Sequence, residues 1–138
     1  MIIGFTGTQE GMTDNQHIQV QRLLHTRDIT EAHHGDCIGA DSQFHDICKE
    51  KKYKIIIHPP LKSYKRSFKN GDIILPKKDY LDRNKDIVDD SEIMIGTPKG
   101  SEELRSGTWS TIRYAKRMKK ELYIVYPNGD VEHFHEYT

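Results

Sequence analysis

The sequence predicts an α/β fold, a parallel sheet of about five strands with helices on both faces and an antiparallel strand at its C-terminal edge. Three observations carry this. Short apolar runs alternate along the chain with stretches whose apolar residues recur at helical spacing, the pattern of right-handed crossovers. The run Tyr53-Lys-Ile-Ile-Ile57 is rich in β-branched residues, which suits a strand covered on both faces. Glycine-punctuated polar loops stand where strands end, at Thr6–Gly11, His34–Asp41 and Gly96–Ser101.

The first strand is Ile2, Ile3 and Phe5, flanked by Gly4 and Gly7, whose missing side chains admit something close to the backbone. Thr13, with Gln16 three residues later, makes a capping box for the first helix. Ile18, Val20, Leu23 and Leu24 supply its buried side. Ile29–His33 reads as the second strand, and a helix from about Ala40 to Lys51 follows with Phe44, Ile47 and Cys48 inward. Pro59 and Pro60 end the third strand. From Leu61 to Lys78 periodicity fails: the stretch is basic, carries Tyr64 and Phe68, and holds the turn pair Asn70–Gly71. It reads either as a mobile flap over a site or as a long solvated connection. Tyr80–Asp89 is helical, with Leu81, Asn84, Ile87 and Val88 along one side. Glu92–Ile95 is the fourth strand and Leu122–Val125 the fifth. Val131–Phe134, after the turn Pro127–Asp130, forms the antiparallel edge.

The chain of 138 residues is the length of one ordinary domain, and a single domain over residues 1–138 is expected. Lys plus Arg and Asp plus Glu both number 21, and this neutral balance argues against generic nucleic-acid binding, which needs a basic excess. Basic clusters remain at Lys62–Lys78 and Lys116–Lys120, the usual composition of a solvated face. No apolar run approaches the roughly 18 residues of a membrane span, and Met1-Ile-Ile-Gly enters a strand at once without a charged leader, so a cytoplasmic protein is expected. Cys37 and Cys48 stand eleven apart outside any CxxC pair and read as structural thiols. The eight histidines are scattered, with His33–His34 adjacent and His133 and His135 in the tail, so no metal site is expected.

The stretch Glu103–Ala115 runs from a short loop into an amphipathic helix with the chain's only tryptophan, Trp109, on its first turn. Ser106, Gly107 and Thr108 combine two hydroxyls, a residue without a side chain and the unpaired N–H groups of a new helix. Together they form a cradle for a phosphate or carboxylate, favoured by the helix dipole and by Arg105 and Arg113. The plainer reading is that Ser106 or Thr108 caps the helix. Open parallel sheets bind ligands beyond the carboxyl ends of their strands, where strand order reverses. The loops after the first, second and fourth strands are therefore assigned to one crevice.

Gly4-Phe-Thr-Gly-Thr8, His34-Gly-Asp-Cys-Ile-Gly-Ala-Asp41, Asp82-Arg-Asn84 and Ser106-Gly-Thr-Trp109 resemble, in this order, the motifs of the SLOG superfamily. That superfamily is a Rossmann-like group containing the LOG phosphoribohydrolases, the DprA proteins and small stand-alone phage and bacterial domains. The resemblance runs from Ile2 to about Val125 and implies a pocket for a nucleotide or an ADP-ribose derivative, with no separate cofactor. Ser106, Gly107 and Thr108 would hold phosphate, beside Arg105 and Trp109, and Gly7, Thr8 and Gln9 would lie against the ligand. Gly35, Asp36, Gly39 and Asp41 would border sugar or base, Arg83 would pair with phosphate, and Asn84 would anchor backbone or ribose. Structural rivals stand beside these roles: a tight turn for Gly39, a helix cap for Asp41, a surface ion pair for Arg83.

LOG hydrolases resemble Gly-Gly-x-Gly-Thr-x-x-Glu, and here Thr111 takes the place of the glutamate and the paired glycines are absent. A threonine cannot act as that carboxylate. The expectation is therefore a binding protein that captures a nucleotide-derived molecule without converting it. By resemblance to the sensor domains of Thoeris antiphage effectors, it would sequester a cyclic ADP-ribose signal on behalf of a phage. The alternative is an N-glycosidic hydrolase or transferase that recruits Asp36, Asp41 or Glu103. A homo-oligomer is expected, as in relatives of this kind.

Overall fold

The computed structural model describes residues 1–135 and 137. Its elements are β1 (Ile2–Gly7), α1 (Asp14–His25), β2 (Glu31–His34), α2 (Ala40–Glu50), β3 (Lys54–Ile57), β4 (Ile73–Ile74), α3 (Tyr80–Asp89), β5 (Ile93–Thr97), α4 (Gly107–Arg117), β6 (Glu121–Val125) and β7 (Val131–Phe134), with a 3₁₀ turn at Ser63–Lys65. The strands form one seven-stranded sheet in the order β4-β3-β2-β1-β5-β6-β7. Every pairing is parallel except β6 with β7. The order reverses beside β1, which pairs with β2 on one side and β5 on the other.

Side chains alternate across the strands and build a core on each face. Ile3, Phe5, Ile93, Ile95, Tyr123 and Val125 meet Val20 and Leu24 of α1 and Phe44, Ile47 and Cys48 of α2. On the other face Met94, Leu122 and Ile124 meet Ile87 and Val88 of α3 and Trp109, Ile112 and Ala115 of α4. Phe5 stacks on Phe44 with ring centroids 4.3 Å apart, which fixes α2 over β1. Each fully buried Val, Leu, Ile, Phe or Met among them stabilises the fold by about 1.5–3 kcal/mol.

Helix α1 begins as the sequence predicts: Thr13 accepts from the Gln16 amide, and the Gln16 side chain accepts from the Thr13 amide. Its inner face differs from expectation. Ile18 is half exposed, while Gln16 is buried and donates its side-chain amide to the carbonyls of Pro98 (2.7 Å) and Val125 (2.9 Å). A glutamine supplied with both partners can be buried at little cost, so it displaces the isoleucine from the inner face. In α3, likewise, Leu81 is exposed and Arg83 is buried.

The stretch from Leu61 to Lys78 is neither a free flap nor a bare connection. It holds the 3₁₀ turn and the short edge strand β4, and it is strapped to the β2–α2 loop. The carboxylate of Asp36 accepts from Arg66 Nε (2.8 Å), Ser67 Oγ (2.7 Å) and the Lys69 amide (3.0 Å), and the Ile38 amide donates to the Lys65 carbonyl (2.9 Å).

Candidate functional site

The loops after β1, β2 and β5 come together at the carboxyl edge of the sheet, with Thr8 at their junction. Its amide donates to the Thr97 carbonyl (3.1 Å), and its carbonyl accepts from the first amide of α2, Ala40 (3.0 Å), and from Gly11 (3.1 Å). Gly39 occupies left-handed backbone (φ +88°) directly against the Gln9 carbonyl, where an added Cβ would come within 2.3 Å. Only glycine meets both conditions. Gly7 lies against Thr97 Oγ1 and the Ala40 side chain, so its close neighbour is the protein itself. Thr97 Oγ1 is buried and has no hydrogen-bond partner among the described residues.

Helix α3 links the second and third loops. Arg83 lies inward and gives Nη1 to the carbonyls of Gly35 (2.6 Å) and His58 (3.1 Å), while its Nε donates to Asn84 Oδ1 (2.7 Å). One turn earlier, the Tyr80 hydroxyl lies over Gly107, where an added Cβ would fall 1.9 Å from it. The Arg83 guanidinium sits 5.8 Å from the Tyr80 ring. The contacts thus run from Gly35 through Arg83 and Tyr80 to the head of α4. Tyr80, about half exposed, escaped the sequence reading because a tyrosine at a helix start carries no local signal of what it will cover.

At that head Ser106 caps α4, accepting from the Trp109 amide (3.2 Å), while its carbonyl accepts from Ser110 (2.9 Å). The amides of Gly107 and Thr108 have no hydrogen-bond partner among the described residues. Arg105 is exposed on the turn just before, and Gln9 is exposed on the first loop. Thr111 donates its hydroxyl to the Gly107 carbonyl (3.0 Å) and faces inward.

Several residues foreseen as ligand contacts have other tasks. Asp36 is wholly buried and its carboxylate is saturated by the Arg66–Lys69 strap. Asp41 does not cap α2, whose cap is Gly39; instead it accepts from the Cys37 amide (3.1 Å). Burial pushes the Asp41 carboxyl up to about 6 in spite of the opposing charge of Arg83. Arg83 is not part of a surface ion pair: it is 4% exposed, and its Nη1 is committed to two backbone carbonyls. Asn84 orients it. Trp109 is 4% exposed and belongs to the core beneath α4. Arg113 turns back to brace the preceding loop through Glu102 and the carbonyls of Glu103 and Leu104.

Two cavities lie near this edge, the second of them past the carboxyl ends of β3 and β4. One, of about 460 Å³, runs between α1 and α2 and is lined by His17, Gln43 and Glu50 among others. The second, of about 380 Å³, lies against α3 and is lined by His58, Leu75, Pro76, Lys78, Arg83, Asp86 and Asp90. Among the described residues no helix is long and apolar enough to cross a membrane.

No protein-family model matches the chain, and no curated protein matches it in sequence. Among solved structures it is similar to a molybdenum cofactor binding protein from the phototrophic bacterium Rippkaea orientalis, with 21% identity, 91% of this chain and 76% of that chain covered, and a TM-score of 0.68. A structural-genomics target, TM1055, is similar at 12% identity over 88% of this chain and 71% of that one, with a TM-score of 0.62. DNA processing protein A from Helicobacter pylori, solved for its single-stranded DNA binding mode, is similar at 17% identity with a TM-score of 0.63. The alignment covers 90% of this chain but 64% of that one, less than two thirds of its length. What the chain has in common with all three is the fold, a Rossmann-like parallel sheet between two helical layers.

Proposed function

We propose that this protein binds a phosphorylated, nucleotide-derived small molecule of ADP-ribose or cyclic ADP-ribose type at the head of α4, and captures it without converting it. The observation that supports this reading is the unpartnered pair of amides at Gly107 and Thr108, on the helix after β5, which flanks β1 where strand order reverses, and linked through Tyr80 and Arg83 to Gly35 of the second loop. A phosphate there gains two N–H donors and the positive end of α4, with Arg105 exposed alongside. The exposed part of Tyr80, and Ile38 of the second loop, offer apolar surface to a sugar or base. The motif resemblance to the SLOG superfamily points the same way. So does the fold shared with a protein named for binding a cofactor.

The arrangement favours capture over cleavage. A hydrolase needs a titratable group at the scissile bond. Asp36 is buried under its strap, Asp41 is 6% exposed and bonded to its own loop, and the position of the LOG glutamate holds Thr111, turned onto a helix carbonyl. Glu103 is solvent-exposed on the loop braced by Arg113.

The test is direct. The protein is incubated with AMP, ADP-ribose and cyclic ADP-ribose isomers, freed of unbound ligand, denatured and analysed by mass spectrometry. Recovery of an intact ligand supports capture, and recovery of cyclic ADP-ribose in particular supports sequestration of an immune signal. Free base or ribose phosphate makes the protein a hydrolase. Retention of none of these compounds, with a gel shift on single-stranded DNA at physiological salt, moves it to nucleic-acid binding.

A further inference from the structure

The second helical face holds a cluster that the ligand reading does not use. His33 of β2 and His58, just past β3, are 4% and 3% exposed, and His33 Nδ1 lies 2.7 Å from His58 Nε2. Asp90, the residue that closes α3, brings Oδ2 to 3.9 Å from His58 Nε2, and the three ligand atoms lie within 4.8 Å of one another. The parallel register sets Ile56 opposite His33, and His58 follows two residues later on the same face, where the end of α3 covers both rings.

The protonation pattern suits a ligand set. His33 Nε2 lies 2.8 Å from Glu31 Oε2, an acceptor when ionised, so the proton of the neutral ring stands on Nε2 and the lone pair on Nδ1. His58 then donates from Nε2 to His33 Nδ1. A tautomer shift that moves the His58 proton to Nδ1 frees a second lone pair at the same point, and no histidine proton need leave the protein. Glu31 holds His33 as outer carboxylates hold metal-bound imidazoles elsewhere.

We propose that His33 Nδ1, His58 Nε2 and Asp90 Oδ2 bind a divalent transition-metal ion of zinc type. Ligand atoms around a tetrahedral zinc stand about 3.3 Å apart, as follows from bond lengths near 2.0–2.1 Å. The observed 2.7 and 3.9 Å bracket that value, and Asp90, about half exposed, is free to adjust. Two imidazoles and one carboxylate leave one position open. His58 and Asp90 both line the 380 Å³ cavity against α3, which gives the ion a way in and gives the open position room for water or an anion. The site stands on residues apart from the head of α4, so either proposal can fail without the other.

The experiment uses the full chain stripped with EDTA. Zn²⁺ is titrated by calorimetry, and Co²⁺ is added separately for its visible d–d absorption. The expected result is one bound equivalent, a rise in Tm, and cobalt bands of tetrahedral intensity. Asp90→Asn changes an exposed side chain and keeps the test open even where the buried histidine variants fail to fold. It is expected to weaken zinc binding at least about tenfold, and Glu31→Gln about 10–100-fold. His58→Gln removes binding. One competing pair is His133 and His135, whose rings stack at 5.5 Å, and a His133→Gln/His135→Gln double variant is expected to bind zinc as the parent does. Absence of binding, binding unchanged in Asp90→Asn and Glu31→Gln, or binding lost only in the tail double variant overturns the proposal.

Discussion

The guanidinium of Arg83 donates through Nη1 to the Gly35 carbonyl at 2.6 Å and to the His58 carbonyl at 3.1 Å, tying α3 to the carboxyl ends of both β2 and β3. Gly35 lets it come this close: a Cβ there would stand 2.4 Å from the same nitrogen. A lysine carries a point charge on a flexible stem and cannot hold two carbonyls and Asn84 at once. Arg83→Lys is therefore expected to cost about 2–4 kcal/mol, since each buried acceptor left unpaired costs about 1–3. Urea unfolding followed by Trp109 emission measures it, and a loss below about 1 kcal/mol contradicts the bracing role.

Asp36 is the main side-chain anchor of the Arg66–Lys69 strap. Asp36→Ala removes three acceptor contacts and leaves the Arg66 guanidinium, mostly buried, without its carboxylate. A cost of about 3–5 kcal/mol is expected, the range for breaking a buried ion pair from one side. Proteolysis within residues 61–78 should accelerate before global unfolding, which limited digestion with mass analysis detects.

Asp41 gives a pH signature of known sign. Its folded pKa is raised from 3.8 to about 6, so its contribution to stability is present in full below about pH 4 and is lost as pH rises through 6. Asp41→Asn keeps an acceptor for the Cys37 amide and removes the buried charge. The variant is expected to be more stable than the parent by roughly 2–3 kcal/mol at pH 7.5, with the difference vanishing near pH 4. Thermal melts of both proteins across that range decide it; a parallel pair of curves rules it out.

Ser106→Asp separates the cap from the cradle. Aspartate caps a helix as well as serine does, so Tm should hold or rise slightly. Its carboxylate repels a phosphate at the neighbouring Gly107 and Thr108 amides, and ligand affinity is expected to fall at least about tenfold. Calorimetry with whichever nucleotide-derived compound is retained checks this, and unchanged affinity moves the ligand away from α4.

The features legible in the chain before folding lie within reach of a few neighbouring residues. The β-branched run at 53–57, the Thr13–Gln16 capping box, the helix over 80–89 and the start of a helix near Gly107 each depend on local backbone and side-chain geometry, and each stands where expected. The alternation of these elements was enough to imply a parallel sheet with helices on both faces. The two-residue strand β4 was not legible, because its pairing depends on β3 already being in place.

Tertiary structure alone decided which polar residues go inside. A charged or polar side chain is buried only where distant segments complete its hydrogen bonds, and periodicity carries no record of those partners. Gln16 displaced Ile18 because Pro98 and Val125 offered carbonyls; Arg83 displaced Leu81 because Gly35 and His58 did. The same long-range pairing turned Asp36 from an expected ligand contact into the anchor of a loop thirty residues away, and brought together His33, His58 and Asp90, which nothing in their spacing connects.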